Sequence, residues 1–260
     1  MLGYALGYLG YFAMGSKSLI IYRNYRNLGF GPLKAAWYSP LCVANYGKLM
    51  TEFMTLGFFS RQRIFSWGVA NEELLKRAVS AGKGVVLATF HFGNWDLAGC
   101  SMSVRDYPLA VIADRVGNNR INNYVISSRQ AKGMRVIPTG SAASSIGPAL
   151  DHGEAVAFLV DRPVAKGGIE VNFGAGKLRI PKGAFHYARQ YGSKLLIGYA
   201  LRKAFGRFEP TVACEIPVPH THDEAAGLRQ MAQQVMSVYY DLVRAHPAQW
   251  YMFRSFGSAA

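Results

Sequence analysis

Acidic residues are scarce in this chain of 260 residues: 15 Asp and Glu stand against 29 Lys and Arg, a formal net charge of +14. A surplus of that size points to an anionic partner. Cysteine is sparser still. Cys42, Cys100 and Cys214 are odd in number and far apart, which excludes a disulfide framework, a CxxC pair and a zinc ribbon, and fits a reducing compartment. No GxSxG elbow and no HExxH pair occurs, and the run Gly174 to Lys177 lacks the spacing and the following Ser or Thr of a P-loop. Serine-hydrolase, zinc-protease and P-loop kinase chemistry therefore find no motif. There are no internal repeats, no low-complexity linker and no compositional break after residue 69.

Apolar side chain, by contrast, is plentiful. Hydrophobic residues make up 50% of the chain and charged residues 17%, so disorder is excluded. A basic, aromatic-rich and apolar chain fits a membrane surface. The cations are dispersed rather than gathered in a recognition motif, which argues against nucleic acid. Residues 1–16 (MLGYALGYLGYFAMGS) carry no charge, and Lys17, Arg23 and Arg26 follow them. The run is shorter than the ~20 apolar residues of a spanning helix. Its positive charges come after the apolar stretch, the reverse of a signal peptide, and no A-x-A-like cleavage site appears. Tyr4, Tyr8 and Tyr11 share one helical face, where phenols suit a headgroup layer. Gly3 and Gly7 form a short GxxxG. Residues 1–30 are expected to be a membrane-associating segment, interfacial or partly inserted; the alternative is a helix docked on the protein's own core.

The remainder, residues 31–260, reads as one domain. A helix is expected over 33–59, opened by Pro32. Asn71 with Glu72 and Glu73 begins another that ends at Gly82. A buried strand covers 84–90, and further strands are expected at 109–113, 135–138, 155–160, 169–173 and 194–201. Helical patterns lie at 118–132, 141–152, 182–191 and 222–245, the last with Leu228, Met231, Val235 and Tyr239 on one face. The alternation predicts an α/β fold: a central, mostly parallel or mixed sheet flanked by helices.

His91-Phe-Gly-Asn-Trp-Asp96 follows the first strand directly, and the carboxyl ends of strands are where such folds place ligands. Five residues apart on one helix, His91 and Asp96 would lie about 140° off-face. With His91 on the loop and Asp96 in the first helical turn, Gly93 lets the chain fold back. Asp96 could then reach the imidazole and make a general base with its orienter. Equally on spacing, His91 is a capping or core histidine and Asp96 a helix-start carboxylate. Asp161 ends another strand and is either a second carboxylate near His91 or the ion-pair partner of Arg162.

The block His91 to Asp96, with Leu97-Ala98-Gly99 after it, resembles the H-x4-D block of bacterial lipid A biosynthesis (lauroyl/myristoyl) acyltransferases. The related phosphatidylinositol-mannoside acyltransferases share it. Other stretches match in order: Arg26-Asn27-Leu28; Arg129 and Gly133 before Val136-Ile137-Pro138; Leu159-Val160-Asp161-Arg162; Gly168 to Gly174 (GIEVNFG); and Pro247, Gln249 and Trp250. The resemblance spans residues 24 to 254. It departs where one Phe173 stands for a frequent pair, and where Ile180 stands for a frequent Thr.

The resemblance implies transfer of a fatty acyl chain from a thioester, on acyl carrier protein or coenzyme A, to a hydroxyl of a membrane glycolipid such as a lipid A precursor. It implies no cofactor or metal, and a place on the cytoplasmic face of the bacterial inner membrane. His91 would be the base and Asp96 its orienter. Arg129 would hold a phosphate or the oxyanion, or else lie on a helix surface. Asn94 and the N–H groups of residues 93–96 would face the oxyanion. Lys182, with Arg162, would contact substrate, or Lys182 would be merely solvated. A glycerophosphate or lysophospholipid acyltransferase shares the H-x4-D logic, but its F-P-E-G-type motif is missing. A non-catalytic basic membrane-surface protein is the other rival reading.

Overall fold

The computed structural model describes residues 2–204 and 206–256. The chain opens with helices α1 (Leu2–Ala13), α2 (Lys17–Asn27) and α3 (Pro32–Met54). A single 3-10 turn, Leu56–Phe58, and a short α4 (Arg61–Phe65) follow. Helices and strands then alternate: α5 (Glu72–Ser80), β1 (Val85–Thr89), α6 (Trp95–Ser103), β2 (Leu109–Ala113), α7 (Asn119–Gln130), β3 (Met134–Pro138), α8 (Ala142–Asp151) and β4 (Ala155–Leu159). A hairpin of β5 (Gly168–Phe173) and β6 (Gly176–Pro181) precedes α9 (Gly183–Tyr191). The chain then forms β7 (Lys194–Ala204), β8 (Arg207–Ile216) and α10 (Glu224–Ala245), and a 3-10 turn at Pro247–Gln249 leads into an extended tail.

The main sheet has the order β3-β2-β4-β1-β7-β8. Every neighbouring pair is parallel except β7 with β8. The α/β expectation, mostly parallel with helices on both faces, therefore holds. In the central strand, Val85 and Leu87 face a core that includes Leu75, Leu97 and Cys100. Val86 and Ala88 face another that includes Phe185, Met231 and Val235. A strand covered on both sides must be apolar throughout, and β1 is.

Two strands were not anticipated. β8 carries Pro210, which reads as a strand breaker but is tolerated at an edge, where no partner needs its N–H; its carbonyl accepts from Ala70 N at 2.8 Å. β6 alternates buried Leu178 and Ile180 with outward Lys177 and Arg179, a short period-two signal flanked by turn residues. Asn71 precedes α5, but its backbone is left-handed (φ 56°) and its side chain makes no cap. Its amide donates to Val212 O at 3.0 Å instead.

The N-terminal helices serve two neighbours. Gly3 and Gly7 form a seam against Gly47, Ala44 and Thr51 of α3, so close that a Cβ on Gly7 would lie 2.4 Å from the Val43 carbonyl oxygen. The opposite side of α1 leaves Leu2, Leu6, Leu9 and Phe12 exposed. Of the two readings of this segment, the docked helix describes α1, which packs by its glycines and leaves an apolar outer face. Among the described residues no helix is long and apolar enough to cross a membrane. α2 turns inward. The Tyr25 hydroxyl donates to Pro247 O at 2.7 Å, and Asn24 donates to Met252 O at 3.0 Å and Arg254 O at 2.9 Å.

Gly7→Val is expected to lift α1 from α3 while leaving the sheet intact, at a cost of ~1–3 kcal/mol for the overpacked seam. Limited proteolysis should then cleave within residues 1–16, with far-ultraviolet circular dichroism nearly unchanged. Protection equal to that of the wild type would contradict the seam.

Candidate active site

β1 and β4 are neighbours, paired so that Thr89 lies opposite Leu159. His91 and Asp161 each stand two residues further on, so they emerge abreast at the carboxyl edge of the sheet. The chain turns tightly there: Phe92 N lies 2.7 Å from Phe90 O. Gly93 is left-handed (φ 60°), and a Cβ on it would lie 2.0 Å from Ala200 O. No other residue fits that position. The C-terminal tail holds the loop from the other side. Tyr251 N donates to His91 O at 3.0 Å, and Gly93 N donates to Gln249 O at 2.9 Å.

His91 Nδ1 lies 2.7 Å from Asp161 Oδ1, and the His91 backbone N–H donates to Asp161 Oδ2 at 3.0 Å. The Tyr239 hydroxyl donates to the same Oδ2 at 2.9 Å. Asp161 is wholly buried. Burial opposes its ionisation, but the imidazole, the backbone N–H and the phenol outweigh it and hold the carboxyl below its usual range. An ionised carboxylate only accepts, so Nδ1 carries a proton, and in the neutral imidazole the acceptor is Nε2. The phenol of Tyr239 is kept protonated, first by burial and then by the Asp161 charge. Its ring stacks on Phe90 at 3.9 Å, and Trp95 meets the imidazole edge-on at 5.0 Å.

The expected contact between Asp96 and His91 is not formed. α6 begins at Trp95, which puts Asp96 in its first turn, and Asp96 Oδ1 accepts from Arg129 Nε at 2.7 Å. The carboxylate that orients His91 comes from the neighbouring strand, through the register of the sheet. Asp161 accordingly does not pair with Arg162, which is exposed. Arg129 is buried and lies over the Phe53 ring at 5.4 Å, so it is no surface arginine.

Asn94 is occupied at both ends. Its Oδ1 caps α6 by accepting from Leu97 N at 3.0 Å, and its Nδ2 donates to Glu52 Oε2 at 3.0 Å. The N–H groups of residues 93 and 94 are likewise taken, by Gln249 O and Ala200 O. Asn94 thus shapes the site, with one of its two amide hydrogens committed to Glu52. Lys182 is exposed and lines a surface groove between the β5–β6 hairpin and the start of α10. Among the described residues neither Lys182 nor Arg162 bonds to a member of the His91 cluster.

Asp96 and Arg129 border a narrow cavity of about 70 Å³, walled by Leu87, Met102, Met134 and Val212. Two polar atoms of residues lining it, Thr89 Oγ1 and Asp96 Oδ2, are buried and lack a hydrogen-bond partner among the described residues. The thiol of Cys100 is buried next to this wall, and burial, then the Asp96 charge, raises its pKa far from nucleophilic range.

Sequence reasoning missed three participants. Tyr239 reads as a core residue on an amphipathic helix; a phenol on an otherwise apolar face was the only signal. Glu52 and Arg202 form a buried bidentate pair, Nη2 to Oε2 at 2.6 Å and Nε to Oε1 at 3.2 Å. They lie 150 residues apart, and no local pattern joins them.

With this geometry in place, comparison with known proteins is informative. The family described as bacterial lipid A biosynthesis acyltransferase matches residues 42–255 of this chain. The phosphatidylinositol mannoside acyltransferase of Mycobacterium tuberculosis is 26% identical over 242 residues, 88% of this chain and 73% of that protein. Its counterpart from Mycolicibacterium smegmatis is 23% identical over 217 residues, 82% of this chain and 69% of that protein.

Tyr239→Phe removes a donor from the buried Asp161 carboxylate and is expected to cost about 1–3 kcal/mol of stability, read as a lower denaturant midpoint. An unchanged midpoint would mean that Tyr239 serves packing alone.

Proposed function

The chain belongs to the bacterial lipid A biosynthesis acyltransferase family, and we propose that it moves a fatty acyl chain from a thioester directly onto a hydroxyl of a membrane glycolipid, with His91 as general base. The observation that carries this reading is the buried chain Tyr239–Asp161–His91, which holds a proton on Nδ1 and makes Nε2 the acceptor atom of the neutral ring. His91 takes the proton of the acceptor hydroxyl as its oxygen attacks the thioester carbonyl. The tetrahedral intermediate collapses, the C–S bond breaks, and the imidazolium returns the proton to the departing thiolate. Asp161 holds the tautomer and stabilises the imidazolium.

Arg129, fixed by Asp96, supplies positive charge to an oxyanion or a phosphate at the cavity wall. The apolar cavity beside them suits the start of the acyl chain. Acyl carrier protein and coenzyme A are both acidic donors that match the +14 charge. The names of the relatives make a phosphatidylinositol mannoside the first acceptor to test and a lipid A precursor the second. The outward apolar face of α1, with Lys17, Arg23 and Arg26 beyond it, supports association with the cytoplasmic leaflet.

Direct transfer needs no protein nucleophile. Besides the raised thiol of Cys100, the Ser101 hydroxyl is committed to Leu97 O at 2.7 Å and the Cys42 thiol to Trp250 O at 2.7 Å. His91→Ala is expected to lower the transfer rate by ~10²–10⁴ in a matched acyl-thioester assay, with the fold retained. Kinetics should be sequential, Cys100→Ala should stay active, and incubation with donor alone should leave the protein mass unchanged. An acyl adduct that chases into product when acceptor is added would overturn direct transfer.

A further inference from the structure

The apolar surface at the end of α3 has no role in the site. Phe58, on the 3-10 turn, is 87% exposed and Phe65, on α4, is 55% exposed. Met54, Ile121 and Tyr124 are exposed as well. Three of them adjoin: the Tyr124 hydroxyl donates to Met54 O at 2.6 Å and would lie 3.6 Å from a Cβ on Gly57, next to Phe58. Ile121 stands one helical turn before Tyr124, and Phe65 follows on α4. Single exposed apolar residues need no explanation, but a group of them on successive elements does.

The surroundings are cationic. Residues 53–70 contain Arg61 and Arg63 and no Asp or Glu, and residues 115–150 contain five cations and no acid. Arg61, Arg63, Arg115 and Arg120 are exposed. Asp106 offsets one of them, 3.3 Å from Arg61. Arg63 lies over Phe59 at 5.1 Å and Arg105 over Phe65 at 4.4 Å. The Arg105 side chain is itself buried and paired with Glu72, so it braces the Phe65 ring, whereas the exposed Arg63 beside Phe59 suits a lipid interface, with the cation at phosphate level.

The position of the patch adds a purpose. Phe53, adjacent to Met54, lies under the Arg129 guanidinium, and Arg129 lines the cavity. The patch thus adjoins the Phe53–Arg129 contact at the cavity wall.

We infer that Met54, Phe58, Phe65, Ile121 and Tyr124 are a lipid-contacting patch in their own right, which holds this side of the protein on an anionic bilayer independently of the leucines of α1. The inference takes its purpose from the proposed transfer to a membrane lipid; its test does not depend on transfer.

The test is co-sedimentation of the full chain with vesicles of phosphatidylglycerol and phosphatidylcholine, and with phosphatidylcholine alone. Phe58→Ser/Phe65→Ser alters two exposed side chains, so the melting temperature should stay near that of the wild type. Partition onto the mixed vesicles is expected to fall ~10-fold or more although α1 is intact. Arg61→Ala/Arg63→Ala should abolish the preference for the mixed vesicles. Unchanged partition of the Phe58/Phe65 variant would overturn the patch. So would a wild-type dimer that this variant turns into a monomer, because the surface would then be a protein interface. Transfer to a water-soluble acceptor analogue, measured in parallel, should persist in both variants. If even the wild type shows no transfer to any lipid or soluble acceptor, the functional reading fails while the sedimentation result stands.

Discussion

A charge with no access to water organises this molecule. Asp161 is wholly buried, and an isolated carboxylate there would protonate rather than stay charged. It remains ionised because three donors converge on it, from the His91 ring, the His91 backbone and the Tyr239 hydroxyl. The three donors come from two independent constraints. The ring and the backbone N–H depend on the β1–β4 register, and the phenol depends on α10 lying along the sheet with its ring stacked on Phe90. The same three contacts fix the tautomer of His91. A structural necessity and the requirement of the proposed general base are met by the same atoms.

The loop that carries His91 has no regular structure of its own, so its accuracy comes from what is strapped across it. Residues 249–251 run alongside residues 91–93 and exchange backbone hydrogen bonds with them. The Gln249 amide then pairs with both backbone groups of Arg202, accepting from its N–H at 2.9 Å and donating to its C=O at 3.0 Å. A side-chain amide here does the work of one more strand residue, joining β7, the tail and the His91 loop. That gives Pro247, Gln249 and Trp250 a physical meaning: the 3-10 turn at Pro247 aims the tail, Gln249 locks it, and Trp250, almost fully buried, packs against Tyr25.

The legible parts of this fold are those with a local cause. Continuous apolar runs gave β1 and β4, and a histidine directly after a strand marked the site. Local reasoning misassigned the partner of His91, because nearness in sequence favours Asp96 whereas sheet register delivers Asp161 from 70 residues away. Asp96 was correctly expected in the first turn of a helix. That placement turns it toward α7, where it meets Arg129. β8 was hidden by Pro210, which only the edge position makes acceptable. Tyr239 was legible as a buried helix residue; its hydroxyl partner required the tertiary structure. The short GxxxG of α1 is the seam on which the helix rests.

α3 connects these parts, and its opposed faces explain why it is long. Gly47 and Thr51 receive α1, and their immediate neighbour Glu52 projects to the other side, into the site. Glu52 binds Arg202 by two hydrogen bonds and accepts a third from Asn94. Asn94 caps the helix that bears Asp96, and Asp96 holds Arg129. Such a buried pair adds little net stability over an apolar one, but breaking it by removing one partner costs ~3–5 kcal/mol. Its consequence here is geometric: the helix that packs against α1 also sets the start of α6. The outer face of α1 and the charge at the cavity wall are thus held in one frame, and a lipid surface met by the first stands at a fixed distance from the second.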